Sequence, residues 1–227
     1  MKPPPRPAQL DQPPAAPPGF RLKFYFVQGL TLVRVLFIFV FLAISVFALP
    51  PISKAWFCVA LSSMILSALT DLLDGYFARL FRVTSTLGSY ADPLTDKIFY
   101  LSAFPTLVYL AGQVGQAGHA RVLLLLAILF LLRDQWVSFL RSIGALHNLD
   151  AKANWSGKAR TIISFPTLCL VYYFLQAPPE WPFRPAAYWI YSLEGVSMII
   201  NIISIVVYTW NFRSALRAEL RLPTPFS

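Results

Sequence analysis

Asp71-Leu-Leu-Asp74-Gly75-Tyr-Phe-Ala78-Arg79 and, nine positions on, Gly88-Ser-Tyr-Ala-Asp92-Pro-Leu-Thr-Asp96 put four aspartates into 26 residues of apolar chain. The whole sequence of 227 residues has only ten Asp and Glu residues. Asp71, Asp74, Gly75 and Ala78 stand at i, i+3, i+4 and i+7, and Gly88, Asp92 and Asp96 at i, i+4 and i+8. Each set shares one face of a helix. Residues 80–87 are long enough for a tight turn between antiparallel helices, so the two acidic faces can meet. Carboxylates in apolar segments are costly and are usually kept for function, and four together repel. A bound cation answers both problems. All-oxygen ligation favours Mg²⁺ or Mn²⁺, and four carboxylates suffice for two ions about 3.5–4 Å apart, as in two-metal phosphoryl-transfer sites. Gly75, Ala78 and Gly88 leave room for a ligand on those faces, although small residues also serve close helix packing in membranes.

Outward from this stretch the chain is 57% hydrophobic and 13% charged, about half the charged share of a soluble domain, which is about 25%. Lipid rather than a globular core is the expected recipient of the apolar surface. Six apolar stretches reach the ~20 residues needed for a crossing: 28–50, 55–81, 88–112, 120–144, 157–178 and 186–211. The fold class is therefore an all-α integral membrane protein of six transmembrane helices. Phe20 to Phe26, with Arg21 and Lys23 among aromatics, reads as a short interfacial helix before the first span. The expected division is a disordered Pro-rich tail over 1–19, a membrane domain over 20–213 and a second tail over 214–227. The first segment carries no apolar run after its charges and does not read as a cleavable signal.

Lys2, Arg6, Arg21 and Lys23 precede the first span, Arg79 and Arg82 follow the second, and Arg141, Lys152, Lys158 and Arg160 flank the fourth connection. Arg213, Arg217 and Arg221 follow the last span, whereas the opposite connections hold Lys54, Arg121 and Arg184. The bias puts both termini and the acidic stretch on the cytoplasmic side. The net charge of +9 is spread along span ends, which suits an anionic leaflet and not nucleic acid. Cys58 and Cys169 read as small buried hydrophobes with no disulfide. His119 and His147 receive no metal role, and Glu194 in the last span is expected to pair with a basic residue of another helix.

Asp71-x2-Asp74-Gly75-x2-Ala78-Arg79-x8-Gly88-x3-Asp92-x3-Asp96 resembles, at every fixed position, the signature of the CDP-alcohol phosphotransferase family. The resemblance implies six membrane helices, a cytosol-facing active site, a dimer, and displacement of CMP from a CDP-linked lipid by an alcohol with divalent metal. It implies that Asp71, Asp74, Asp92 and Asp96 hold the metal, that Asp96 is the general base, and that Gly75, Ala78, Arg79 and Gly88, with Asp71, line the nucleotide and diphosphate region. Those residue types suit the chemistry: cations neutralise the diphosphate, and a carboxylate accepts the proton of the attacking hydroxyl.

Acceptor choice must come from outside the signature. Arg133 and Arg141, eight apart on the fourth span, and Lys158 and Arg160 at the start of the fifth form a cationic set that suits an acceptor bearing phosphate. Snorkelling side chains at helix ends are the bland alternative. Over residues 28–165 the chain resembles bacterial phosphatidylglycerophosphate synthases: Thr31-Leu-Val-Arg34, Asp92-Pro-Leu-Thr-Asp96-Lys97, Arg133-Asp134 with Arg141, and Trp155-Ser-Gly157-Lys158-Ala-Arg160-Thr161 match their local motifs. That resemblance adds Thr31 to the nucleotide-binding set. It departs at Gln28, Asp134, Arg160 and Ile163-Ser164, which bear on the acceptor and not on the metal. The implied substrates are CDP-diacylglycerol and glycerol 3-phosphate, in a bacterial inner membrane. Inositol phosphate, serine or another alcohol stays open as acceptor. From other classes, a cation transporter and an inactive scaffold stay open as well, although all four aspartates are present and no repeat is visible.

Overall fold

The protein is described from a computed structural model, which covers residues 20–48, 52–81, 86–147, 155–181 and 183–220, without the side chains of residues 20, 21, 86–93, 96, 156 and 158. The Pro-rich segment 1–19 and the side chains of Gly88, Asp92, Asp96 and Lys158 thus lie outside the described residues. All regular structure among the described residues is helical: α1 Phe20–Phe47, α2 Lys54–Phe81, α3 Thr86–Gln113, α4 Ala117–Leu146, α5 Trp155–Gln176, α6 Ala187–Asn211 and α7 Arg213–Glu219. Four of these are long and apolar enough to cross a membrane: Leu22–Phe47, Lys54–Phe81, Ala117–Leu146 and Ala187–Asn211. They make this an integral membrane protein. Phe20 to Phe26 is no separate interfacial helix but the start of α1, which runs on without a break. Nothing in that segment stops a helix: it contains neither Gly nor Pro.

Short connections make α1–α2 and α3–α4 helical hairpins, and α5 packs against α6. The α3–α4 corner shows how sequence closes such a turn. Gly115 takes φ +75°, a conformation open to glycine at little cost. Its N–H bonds the Gly112 carbonyl at 3.1 Å and the Gln116 N–H bonds the Ala111 carbonyl at 2.9 Å. This is the Schellman pattern, which satisfies the last carbonyls of α3 and lets α4 begin at Ala117.

The core sits where α3 meets its neighbours. Ala103, Phe104, Leu107 and Ala111 of α3 are fully buried with Phe41 of α1, Phe57 and Met64 of α2, Phe130 of α4 and Tyr172 of α5. A smaller cluster of Val137, Leu140, Tyr208 and Phe212, capped by Leu216, joins α4, α6 and α7. Large apolar side chains remain outside on every long helix, such as Leu32, Leu72, Leu125 and Ile162. In a soluble protein such a surface would aggregate; in a bilayer it is the solvent-facing side. The same fact corrects the reading of Cys58, which is exposed on α2, while Cys169 is half-buried and both are free. Apolar neighbours along a membrane helix mark lipid contact as readily as burial.

The polar side chains face inward instead. Along α6, Glu194, Ser197, Asn201, Ser204 and Tyr208 are all buried at spacings of three and four, one continuous face. Glu194 Oε1 meets His119 Nε2 of α4 at 2.7 Å, both side chains being wholly buried, and His119 Nδ1 meets Gln116 Oε1 at 3.2 Å. The expected basic partner of Glu194 is therefore a histidine. At the loop before α6, Lys54 pairs with Glu180; that hydrogen bond, and then the lysine charge, hold the Glu180 carboxyl below its ordinary range.

Candidate functional site

α2 is 28 residues long, about 42 Å at 1.5 Å per residue, against a hydrocarbon core of ~30 Å. Asp71 and Asp74 stand in its C-terminal half. Both meet Arg34 of α1. Arg34 Nη1 lies 2.6 Å from Asp71 Oδ1 and Nη2 lies 3.1 Å from Asp74 Oδ2, and the Thr31 hydroxyl donates to Asp74 Oδ2 at 3.4 Å. Arg34 and Asp74 are buried, whereas the Asp71 side chain is 41% exposed. Countercharge for two of the four aspartates is thus built into the chain, where the sequence had pointed to a metal alone. The T-x-x-R pattern was the available signal for Arg34. These carboxylates suit a hard divalent cation: one oxygen from each of two successive turns converges on a single cationic group.

The Arg79 guanidinium folds back beside Gly75, where an added Cβ would stand 3.8 Å from it, an ordinary contact. Ala78 is half-buried and Arg79 exposed on the same stretch of α2. Gly88, Asp92 and Asp96 lie on α3, and their side chains are outside the described residues.

The cationic set gathers around α4. Arg133 is buried, and its Nε and Nη2 donate to the Ser204 hydroxyl of α6 at 2.9 and 2.7 Å. Arg141 Nη2 donates to the Tyr208 hydroxyl at 3.1 Å. Arg160 of α5 stacks on the Phe130 ring at 4.2 Å and donates from Nη1 to Asp134 Oδ1 at 3.3 Å. Lys97, next to Asp96, reaches Asp134 Oδ2 at 3.8 Å and donates to the Ser138 hydroxyl at 3.4 Å. Asp134 thereby ties cations from α3, α4 and α5, since Arg133 Nη1 is also within 3.6 Å of it. Arg133 and Arg160 meet at Asp134, and Arg133 and Arg141 at the Tyr208 ring; Lys158 is on α5 with its side chain undescribed. Lys97 stood in a quoted motif without a role, whereas Ser204 and Tyr208 were missed, and only the spacing of polar residues along α6 could have pointed to them.

A cleft of about 300 Å³ lies between Asp71 with Arg34 and, from the cationic set, Arg160. Arg34 and Asp71 stand on one wall, Arg160 and Thr161 on the other, with Phe99 and Tyr100 of α3 between. Leu72 of α2 and Ile162 of α5 line it too and are 68% and 71% exposed, so the cleft opens sideways toward lipid. Pro166, also in its lining, lacks the N–H that would bond the Ile162 carbonyl in a regular helix.

Long apolar helices around a cleft that sets the Asp71 carboxylate opposite the Arg160 guanidinium define an integral membrane protein with charged groups in a lateral cleft. The CDP-alcohol phosphatidyltransferase family profile matches residues 26–210. The chain belongs to that family, whose members generally use a divalent metal. Among curated relatives, it is 37% identical over 111 residues to a CDP-diacylglycerol–glycerol-3-phosphate 3-phosphatidyltransferase of Cereibacter sphaeroides, covering 47% of each chain. It is 30% identical over 149 residues to a chloroplastic/mitochondrial enzyme of that name from Arabidopsis thaliana, covering 63% of this chain and 50% of the relative. To the Haemophilus influenzae protein of the same name it is 30% identical over 142 residues, covering 62% and 71%. The chain spans about half the length of the first two of these relatives.

Proposed function

We propose that this protein transfers a phosphatidyl group from CDP-diacylglycerol to glycerol 3-phosphate and releases CMP. One observation carries the reading: a single lipid-facing cleft has the Asp71 carboxylate on one wall and the Arg160 guanidinium on the other. That arrangement matches a reaction in which a lipid diphosphate and an anionic acceptor must meet. The names of the relatives point to the same pair of substrates.

In this reading Asp71, Asp74, Asp92 and Asp96 hold Mg²⁺ or Mn²⁺, which supplies charge neutralisation on the diphosphate and on the departing CMP. Thr31, Gly75, Ala78, Arg79 and Gly88 receive the nucleotide and diphosphate. Arg34 holds Asp71 and Asp74 in place and offsets part of their charge. Arg133, Arg141, Lys158 and Arg160 bind the phosphate of the acceptor. Asp96 takes the proton of the acceptor hydroxyl as that oxygen bonds the phosphorus carrying the diacylglycerol. The bond from this phosphorus to the CMP oxygen breaks, and CMP leaves. The acyl chains enter through the gap beside Leu72 and Ile162. A cluster of buried cations beside the carboxylates suits anionic substrates better than a path for cations.

α3 and α5, with 28 and 22 residues, are long enough to complete six spans at 1.5 Å per residue. The basic residues put the site and both termini on the cytoplasmic face of a bacterial inner membrane. We assign residues 20–213 to the membrane catalytic domain and expect a homodimer.

The test is CMP release by purified protein in detergent with CDP-diacylglycerol, Mg²⁺ or Mn²⁺, and acceptors offered one at a time. Metal-dependent release with glycerol 3-phosphate, abolished in a folded Asp96→Asn variant, is the expected result. Release only with a different alcohol overturns the acceptor assignment, and full activity of Asp96→Asn overturns the role of that residue.

A further inference from the structure

The acceptor arginines sit on α4, yet α6 holds them. Arg133 presents two N–H groups to one oxygen, Ser204 Oγ, at 2.9 and 2.7 Å. Ser204 is wholly buried, so water has no access to that hydroxyl. One turn further along α6, the Tyr208 ring lies 5.3 Å from the Arg133 guanidinium and 5.5 Å from that of Arg141. Its hydroxyl accepts from Arg141 Nη2 at 3.1 Å. A Cβ on Gly157 would come within 3.3 Å of the Tyr208 hydroxyl and 3.7 Å of Arg133 Nη2. The residue before Lys158 is therefore drawn in against the same two groups, and its lack of a side chain leaves them room.

These contacts differ from ordinary helix packing in what they select. A serine that accepts two N–H groups of a guanidinium fixes its plane. A planar fork fixed in this way also fixes the direction of its remaining nitrogen, Nη1, which lies 3.6 Å from Asp134 Oδ1, and an oriented fork is the geometry that recognises a phosphate. An aromatic ring next to two guanidiniums sets the distance between them. We infer that Ser204 and Tyr208 are positioning residues that fix the orientation and separation of Arg133 and Arg141, and thereby set the preference of the enzyme for an acceptor bearing phosphate. The inference rests on the assignment of these arginines to the acceptor phosphate.

The experiment measures steady-state transfer in detergent for Ser204→Ala, Ser204→Thr, Tyr208→Phe, Arg133→Gln and the double variant Arg133→Gln/Ser204→Ala. Ser204→Ala should raise KM for glycerol 3-phosphate about tenfold, the scale of a lost hydrogen bond to a charged group, with KM for CDP-diacylglycerol unchanged. Ser204→Thr, which keeps the hydroxyl, should restore most of the affinity. The double variant should be no worse than Arg133→Gln alone, because the serine acts through the arginine. An unchanged KM for glycerol 3-phosphate in Ser204→Ala, or additive effects in the double variant, overturns the inference. If Arg133→Gln also leaves that KM unchanged, the acceptor-site reading falls with it. If Arg133→Gln raises it and Ser204→Ala does not, only the positioning role falls. Should Ser204→Ala not fold, Tyr208→Phe decides: it removes one hydroxyl and keeps the ring, and an unaltered KM for glycerol 3-phosphate overturns the inference.

Discussion

Replacing Arg34 by Met separates the charge of this side chain from its bulk. In the metal-free protein the change leaves the buried Asp74 carboxylate and the 41% exposed Asp71 carboxylate without the guanidinium that both touch. Breaking a buried ion pair from one side costs ~3–5 kcal/mol. The Asp71 arm is screened by solvent, so the lower end, about 3 kcal/mol, is the better expectation. For a chain of this size ~1 kcal/mol moves Tm by about 2–4 °C, giving a fall of about 6–12 °C in EDTA. A divalent cation held by the same carboxylates replaces the lost charge. In saturating Mg²⁺ the difference between Arg34→Met and the parent should therefore shrink to less than half its value in EDTA. The assay is thermal unfolding in detergent, with and without metal, followed by a probe that does not depend on turnover. Adding Asp74→Asn to Arg34→Met should recover part of the loss in EDTA, since the remaining buried charge is then gone. An equal fall in Tm in EDTA and in Mg²⁺ would mean that Arg34 contributes packing alone, and the argument for a shared cationic position would fail. No fall at all in EDTA would refute the ion-pair reasoning itself.

Two further outcomes test the scaffold around the site. His119→Leu strands the wholly buried Glu194, whose Oε2 already has no hydrogen-bond partner among the described residues. It should destabilise by ~3 kcal/mol, and His119→Leu with Glu194→Leu should recover most of that in the same Tm measurement. Gly144→Ala would put a Cβ into the Phe212 ring, so it should cost ~1–3 kcal/mol as an overpacked contact. Phe212→Leu in the same chain should relieve it, and an additive loss in the pair would show that the ring is not what the glycine accommodates.

Regularities along one helix were open to the sequence. Asp71, Asp74, Gly75 and Ala78 fall on one face because the backbone turns by a constant angle per residue, whatever surrounds it. Membrane-crossing length could be counted directly, and six of the seven helices lie where apolar stretches stand. The cations Arg133, Arg141 and Arg160 could be named because charge in an apolar run stands out. Other features depend on which face of a helix meets which neighbour, and a sequence carries that only weakly when lipid and core are equally apolar. So Cys58 looked buried and is exposed, and the start of α1 looked like a separate element and is not. Arg34 reaches aspartates about 40 positions away. Ser204 and Tyr208 reach arginines about 70 positions away, and His119 lies 75 positions from Glu194. The tertiary structure alone selected those partners, because each buried polar group in a bilayer must find its hydrogen bonds within the protein, and only the packing of the helices decides which are in reach.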